Sequence, residues 1–332
     1  MSAPINTTDA VQNEVSSSPL RISVLIPTYN CRALVGRAIR SALEQTFPPW
    51  EVVVVDDGST DGTGELVRSE FGDRINYRYQ ENGGEGAARN TGIRMCSGDW
   101  IALLDADDWW EREKLELQAA QVRNHPEAGI VVCGAAIHGL DSDKARKMRI
   151  PAPFTREVLR ELLKTRTVFP PGTAMVRRDV FAQVGGFTEG LPLGADREMW
   201  SRVVAQYDPA GMDRPLLHIT ELPTSMSSDP DRIVRFGLRV NRMVMKTLGD
   251  HSFLGRCRDW LTLRRADARM LLSATYLYRD QNQTRKASQT ARRVLLQWPF
   301  CGPRVYRLAL RLWLSTVRGE RNETAVDELR ER

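Results

Sequence analysis

The sequence has no CxxC pair, and its five cysteines, at positions 31, 96, 133, 257 and 301, are odd in number. That pattern argues against a disulfide framework or a structural zinc site and suits reduced thiols. Also missing is any uninterrupted run of roughly 18 apolar residues, the length a spanning helix needs. The chain is therefore expected to be soluble, or at most to lie on a membrane. The first nineteen residues are rich in Ser, Thr and Asn and contain no apolar segment of the kind a secretory signal carries. They read as a disordered leader, residues 1–19. There is no internal repeat.

What is present is ordinary for a globular protein: 332 residues, 42% of them apolar and 27% charged, with a net charge of +5. The basic residues are unevenly spread and thicken after residue 230, where Arg recurs every few positions. An anionic partner there, a membrane surface or an acidic substrate, is one reading; a solvated basic helical face is the other.

From residue 21 the periodicity is legible. RISVLIPTYN is a short β-branched run halted by Pro27, a buried strand. Leu34, Val35, Ala38, Ile39, Ala42 and Leu43 then share one helical face. WEVVVVDDGSTDGT reads as a second strand entering a turn, INYRYQ as a third, and WIALLDADD as a fourth, with helices between them. Residues 109–125 look like an amphipathic helix, for which Asp108 is a candidate cap. AGIVVCGAAIHG reads as a further strand, 139–172 as a polar excursion, and everything past about residue 232 as helical. Strand–helix alternation with short loops implies an α/β fold: a mostly parallel central sheet with helices on both faces, plus a helical C-terminal extension. The expected division is 20–231 for the α/β domain and 232–332 for the Arg-rich helices.

In such sheets ligands bind beyond the carboxyl ends of the strands. Polar groups gather at those ends: Thr28–Asn30 after the first strand, Asp56–Asp57 after the second, Asp105–Asp108 after the fourth. A surface turn explains any one of these, but hardly all three.

The stretches SVLIPTYN, VVVVDDGSTDGT, GGEGAARNTGI, LLDADDWW and GGFTEGLPLGADREMW resemble, in order and separation, family 2 glycosyltransferases of the GT-A fold. The resemblance covers roughly residues 21–225. It implies transfer of a sugar from a nucleoside-diphosphate donor, UDP-linked in the first instance, to a hydroxyl on a glycan or lipid-linked acceptor. Asp105 and Asp107 match the family's DxD motif, which implies Mn²⁺ or Mg²⁺ at the diphosphate, with Asp107 the direct ligand and Asp105 also near the ribose. Asp57 matches the residue that accepts a hydrogen bond from the base, with Pro27 and Tyr29 framing the same pocket; an Asx turn is its alternative. Arg89, in the glycine-rich helix start, fits the diphosphate or Asp105. This is no dinucleotide fingerprint, because Arg89 fills the slot of the third glycine.

Asp196 matches the general base of inverting members, which takes the proton of the acceptor hydroxyl. Its alternative is an ordinary helix cap, with Glu189 and Glu198 as fallback bases. Family members usually carry Glu before that Asp; here the residue is Ala195. Nor is there a Tyr-Arg in the segment after His218, and a lone His there suits a structural place. Two other functions stay open: a nucleotidyltransferase, although the Lys-containing glycine loop it needs after the first strand is missing, and a non-catalytic sugar-nucleotide binding protein. No nucleic-acid partner is expected.

In the tail, Arg304, Arg307, Arg311 and Arg318 share one helical face, with Leu308, Leu312 and Trp313 elsewhere around the helix. Such a helix suits peripheral contact with an anionic bilayer, or packing of its apolar stripe on the protein. The expected location is cytoplasmic, at the inner face of the cell membrane where such contact occurs.

Overall fold

The computed structural model describes residues 19–138, 146–148, 154–164, 169–220, 229–250, 252–296 and 303–318. The leader up to residue 18 and residues 139–145, 149–153 and 165–168 of the 139–172 excursion fall outside them, as does the 221–228 segment, while the rest of the excursion holds a short strand and a helix.

The first half of the sheet follows from its sequence. β1 (Ile22–Thr28), β2 (Glu51–Asp56), β3 (Asn76–Tyr79) and β4 (Trp100–Leu103) pair in parallel in the order β3-β2-β1-β4. Every residue of β1 is buried, which is why it reads as a continuous apolar run rather than an alternation. Alternate residues still face opposite layers. Val53 and Val55 join one core with Leu25, Leu103 and Trp200, while Val52 and Val54 join a second with Val24, Ile26, Val35 and Ile39. The helices α1 (Val35–Leu43), α2 (Thr63–Phe71) and α3 (Glu85–Met95) are the crossovers. α3 lies so close on β1 that a Cβ at Gly92 would sit 2.0 Å from a Leu25 methyl, so only glycine fits there.

The second half turns antiparallel. β8 (Ala174–Arg177) pairs antiparallel with β4, β6 (Ile130–His138) antiparallel with β8, and β9 (Pro209–Thr220) parallel with β6. β7 (Arg146–Met148) hangs on β6, and β5 (Trp109–Trp110) closes the far edge on β9. The sheet is therefore mixed, parallel on one side and largely antiparallel on the other.

Two local expectations need correction. The helix expected over 109–125 begins at Lys114, as α4 (Lys114–Asn124), because Trp109 and Trp110 are drawn into pairing with His218 and Leu217. Asp108 consequently caps no helix; it is buried and accepts from the Thr220 backbone N–H at 3.3 Å. The second is β9, a twelve-residue strand over a segment to which the sequence reading assigned no element.

α5 (Arg156–Leu163), α6 (Arg178–Val184) and α7 (Ala195–Gln206) cover the face of the sheet that includes Trp200. Beyond them α8 (Pro230–Arg232) passes through a π turn at Ile233–Gly237 into α9 (Leu238–Leu248). Val240, Val244 and Leu248 of α9 enter the main core. α10 (Phe253–Asp280), α11 (Thr284–Leu295) and α12 (Pro303–Arg318) enclose a small core of their own, including Leu271, Leu272, Val294, Ala309 and Leu312. No helix among the described residues is long and apolar enough to cross a membrane.

Candidate active site

Because β1, β2 and β4 run in parallel, their carboxyl ends share one rim. At the end of β1, Pro27 is buried, the Tyr29 ring stands 53% exposed, and the Thr28 hydroxyl is buried without a partner. The Asp57 N–H donates to the Thr28 carbonyl at 2.8 Å, tying the ends of β1 and β2 together. The two adjacent carboxylates divide the work there. Asp56 accepts from the Ser59 N–H at 2.8 Å and from the Tyr77 hydroxyl at 2.8 Å, so it forms the turn. Asp57 points the other way and accepts from Gln80 Nε2 at 2.6 Å and from the N–H groups of Gly83 and Gly84 at 3.0 and 2.8 Å. It thereby pulls the glycine loop onto the rim.

That loop starts α3, whose first turns carry Glu85 and Arg89. The Arg89 side chain is 2% exposed and donates to Asp105 Oδ1 at 2.7 Å, while also pairing with Glu85. Its Nε is buried without a partner. Burial raises the Glu85 carboxyl, Arg89 opposes the rise, and Asp105, Asp196 and Asp107 add to it. Asp107 is raised by burial and by Asp105, and Asp108 is pushed up to about 9 by burial and by Asp105 and Asp107. These carboxylates sense one another's charge, so they occupy one patch of space.

Asp196 joins them from the far side of the sequence. Gly194, in the left-handed region at φ +76°, turns the chain into α7, and Asp196 lies in the first turn. Burial raises its carboxyl; the Arg197 N–H and the Arg89 charge oppose this, and Asp105 reinforces it. The rim thus brings together Asp105, Asp107, Arg89 and Asp196, with Asp57 bound to the same glycine loop and Tyr29 open at its edge. The fallback bases are otherwise engaged. Glu198 is locked by Arg202 at 2.8 Å and by the Thr188 hydroxyl at 2.9 Å, and exposed Glu189 accepts from Asn90 at 2.9 Å. His218 sits in a stack, 2.8 Å from His138 and 2.8 Å from Glu111, with the Trp109 ring over it.

Three contributors escaped the sequence. Glu85 was visible as part of the glycine motif but carried no separate signal. Arg37, on α1, donates to the Asp107 carbonyl at 2.9 Å and lies over the Trp109 ring at 3.7 Å, so it holds the acidic loop from an element 70 positions away. Arg197 is buried behind Asp196. It donates to the Leu163 and Lys164 carbonyls at 2.7 and 2.8 Å and to Asn241 Oδ1 at 2.6 Å, and Asn241 donates on to Asp267 at 2.7 Å. Nothing in a linear pattern announces such a chain.

Among the described residues, no three His, Cys, Asp or Glu side chains are placed to hold a metal ion by themselves. A hard cation that arrives with a diphosphate needs only one or two carboxylates, the remaining oxygens coming from phosphate and water. Asp105 and Asp107 are hard oxygen donors, and burial together with the neighbouring Asp105 charge disfavours the ionised state of Asp107 until a cation balances it. They fit that role and not the role of a closed cage. The unpartnered Arg89 Nε and Thr28 hydroxyl are consistent with a polar ligand at the same rim.

A sheet rim of this kind, with a glycine-started helix beside an acidic loop, defines a GT-A-like α/β fold. Residues 23–185 match the model of glycosyl transferase family 2. An uncharacterized glycosyltransferase of Rickettsia conorii, RC0461, is 31% identical over 188 residues, 55% of this chain and 31% of the relative. The putative teichuronic acid biosynthesis glycosyltransferase TuaG of Bacillus subtilis is 40% identical over 100 residues, 29% of this chain and 40% of the relative. The matched segment thus spans well under half the length of either relative. In fold the chain is similar to S. aureus TarS 1–349, at a TM-score of 0.60 and 18% identity over 91% of this chain and 92% of that one. It is also similar to the Pyrobaculum calidifontis mannosyltransferase PcManGT, solved with GDP-Man and Mn²⁺, at a TM-score of 0.56 and 21% identity over 92% and 89%.

Proposed function

We propose that the chain transfers a glycosyl group from a nucleoside-diphosphate donor to a hydroxyl of a glycan or lipid-linked acceptor, with inversion at the anomeric carbon. The observation that carries this reading is the convergence of Asp105, Asp107, Arg89 and Asp196 on one rim. TarS bound to UDP-GlcNAc and PcManGT bound to GDP-Man support the donor class.

Asp57, Pro27 and Tyr29 hold the base, the carboxylate accepting from a ring N–H and the tyrosine ring covering an edge. Arg89 faces the diphosphate. Asp107, with Asp105 beside it, holds Mn²⁺ or Mg²⁺, which when bound offsets the charge that develops on the leaving diphosphate. Asp196 takes the proton from the acceptor hydroxyl while that oxygen forms its bond to the anomeric carbon. The bond from that carbon to the diphosphate oxygen breaks, and the diphosphate leaves with the electron pair. A carboxyl raised by burial suits this task, because a base works best with a proton affinity near the operating pH. Arg197 keeps it aimed: the side chain is anchored in three carbonyl-type oxygens behind the helix, while its N–H faces the Asp196 carboxylate.

The test is Asp196→Asn assayed for donor binding and for turnover. Donor affinity near wild type with turnover abolished supports the base assignment; unchanged turnover refutes it.

A further inference from the structure

The sequence left α12 two readings, contact with a bilayer or packing of its apolar stripe on the protein, and in the structure Ala309 and Leu312 are buried against α10 and α11. Apolar surface is left outside elsewhere, on the first three turns of α10. Phe253 is 71% exposed, Leu254 78% and Trp260 42%.

Their placement on the helix is regular. Phe253, Cys257, Trp260 and Arg264 follow one another at i, i+4, i+7 and i+11, a single stripe of an α-helix, and all four are exposed. On the opposite side, Gly255, Asp259 and Ala266 are buried against the protein. Arg256, Arg258 and Arg265 are exposed around the stripe, and the Arg264 guanidinium lies 5.4 Å from the Trp260 ring. Acidic side chains at this end are already matched: Asp250 lies 3.6 Å from Arg258, and Asp259 and Glu161 share Lys164. The result is a protruding tip of Phe, Leu and Trp within a ring of arginines.

We infer that the N-terminal end of α10 is a docking surface for an anionic phospholipid bilayer, with Phe253, Leu254 and Trp260 entering the headgroup boundary and Arg256, Arg264 and Arg265 meeting lipid phosphates. A helix with aromatic and leucine side chains on one face, edged by arginine, lies in that interface. Charge selects this occupant over a second copy of the chain, because a two-fold contact through this face would set the same arginines against one another. The inference goes beyond the glycosyl-transfer reading and does not depend on it.

The test is co-sedimentation of the full chain with vesicles of phosphatidylcholine alone and of phosphatidylcholine mixed with phosphatidylglycerol. The chain should pellet with the mixed vesicles, stay in solution with the neutral ones, and release as salt rises. Arg256→Gln with Arg265→Gln should lower partitioning about thirty-fold, at about 1 kcal/mol per basic residue near an anionic surface. Phe253→Ser with Leu254→Ser should lower it about a hundred-fold or more. Arg307→Gln with Arg311→Gln on α12 should leave it unchanged. A polarity-sensitive dye on exposed Cys257 reports from within the stripe itself, and its emission should shift to the blue on mixed vesicles. A chain that ignores phosphatidylglycerol overturns the inference, as does a loss that follows α12 instead of α10, or self-association through this face without vesicle binding. Donor titrations are read separately, so a failed docking surface and a failed glycosyl-transfer reading are told apart.

Discussion

At the rim of β1, β2 and β4, like charges crowd: Glu85, Asp105, Asp107, Asp108 and Asp196 share one patch with Arg89 as the buried cation. Where the C-terminal helices meet the sheet domain, opposite charges are matched. Lys164 sits 3.0 Å from Asp259, and the chain Arg197–Asn241–Asp267 is hydrogen-bonded at each link. A matched buried charge needs nothing further and serves to join elements. A crowd of carboxylates in which Glu85, Asp107, Asp108 and Asp196 have raised proton affinities is incomplete until a cation or a proton arrives, which marks it as a place for binding and chemistry. The contrast also explains how the helical layer can matter to a rim it does not line: Arg197 belongs to both, with Asp196 before it and Asp267 at the end of its chain.

The contrast can be broken by substitution. The largest effect belongs to Asp196→Asn, where loss of a general base should lower kcat by about 10²–10⁴ with donor affinity unchanged, as single-turnover and binding measurements would report. Next is Arg197→Met, which strips the partner from a buried network and should lower stability by about 3–5 kcal/mol in chemical denaturation. If Arg197 also aims the base, kcat should fall further than for Lys164→Met, which breaks a matched pair in the same layers while keeping the backbone carbonyl that accepts from Arg197. Equal kcat in the two variants, compared well below their melting temperatures, would reduce Arg197 to a structural tie.

A pH effect of similar size resides in α4. Lys114 is buried against Gln118 Oε1 at 2.7 Å, and burial pushes it down to about 8 from 10.5. Between those values the unfolded chain holds a proton that the native chain has released, so stability rises with pH across that window. Wild type should gain about 3 kcal/mol relative to Lys114→Met from pH 8 to 10.5, at about 1.4 kcal/mol per unit. Urea titrations at several pH values would show it, and parallel curves would deny it. Smaller again, Asp57→Asn should weaken UDP binding about ten- to a hundred-fold by removing one charge-assisted hydrogen bond. Arg307→Ala and Arg311→Ala, exposed on α12, should each change stability by no more than about 0.5 kcal/mol.

Much of the rim was legible because parallel strands advertise themselves. Ile22–Thr28 and residues 52–56 are buried, so they read as β-branched runs, and the turns that end them carry Pro, Asp and Gly. The residues gathered at the strand ends follow from that topology. The antiparallel half was not legible. β9 includes Pro209 and Pro215, and its register on β6 shifts around Gly134, so it shows no clean alternation. Trp109 and Trp110 were assigned to a helix because helix formers follow them, whereas their conformation is set by partners more than 100 positions away. The same non-locality hid Arg37 and Arg197, whose importance lies wholly in what the fold sets against them.

Calorimetric titration of UDP, with and without Mn²⁺, into wild type and Asp107→Asn bears most directly on the acidic rim as a nucleotide–cation site. Mn²⁺ should tighten UDP binding in wild type and leave Asp107→Asn unaffected. Affinity that ignores Mn²⁺ in wild type, or responds to it equally in the variant, would contradict the site.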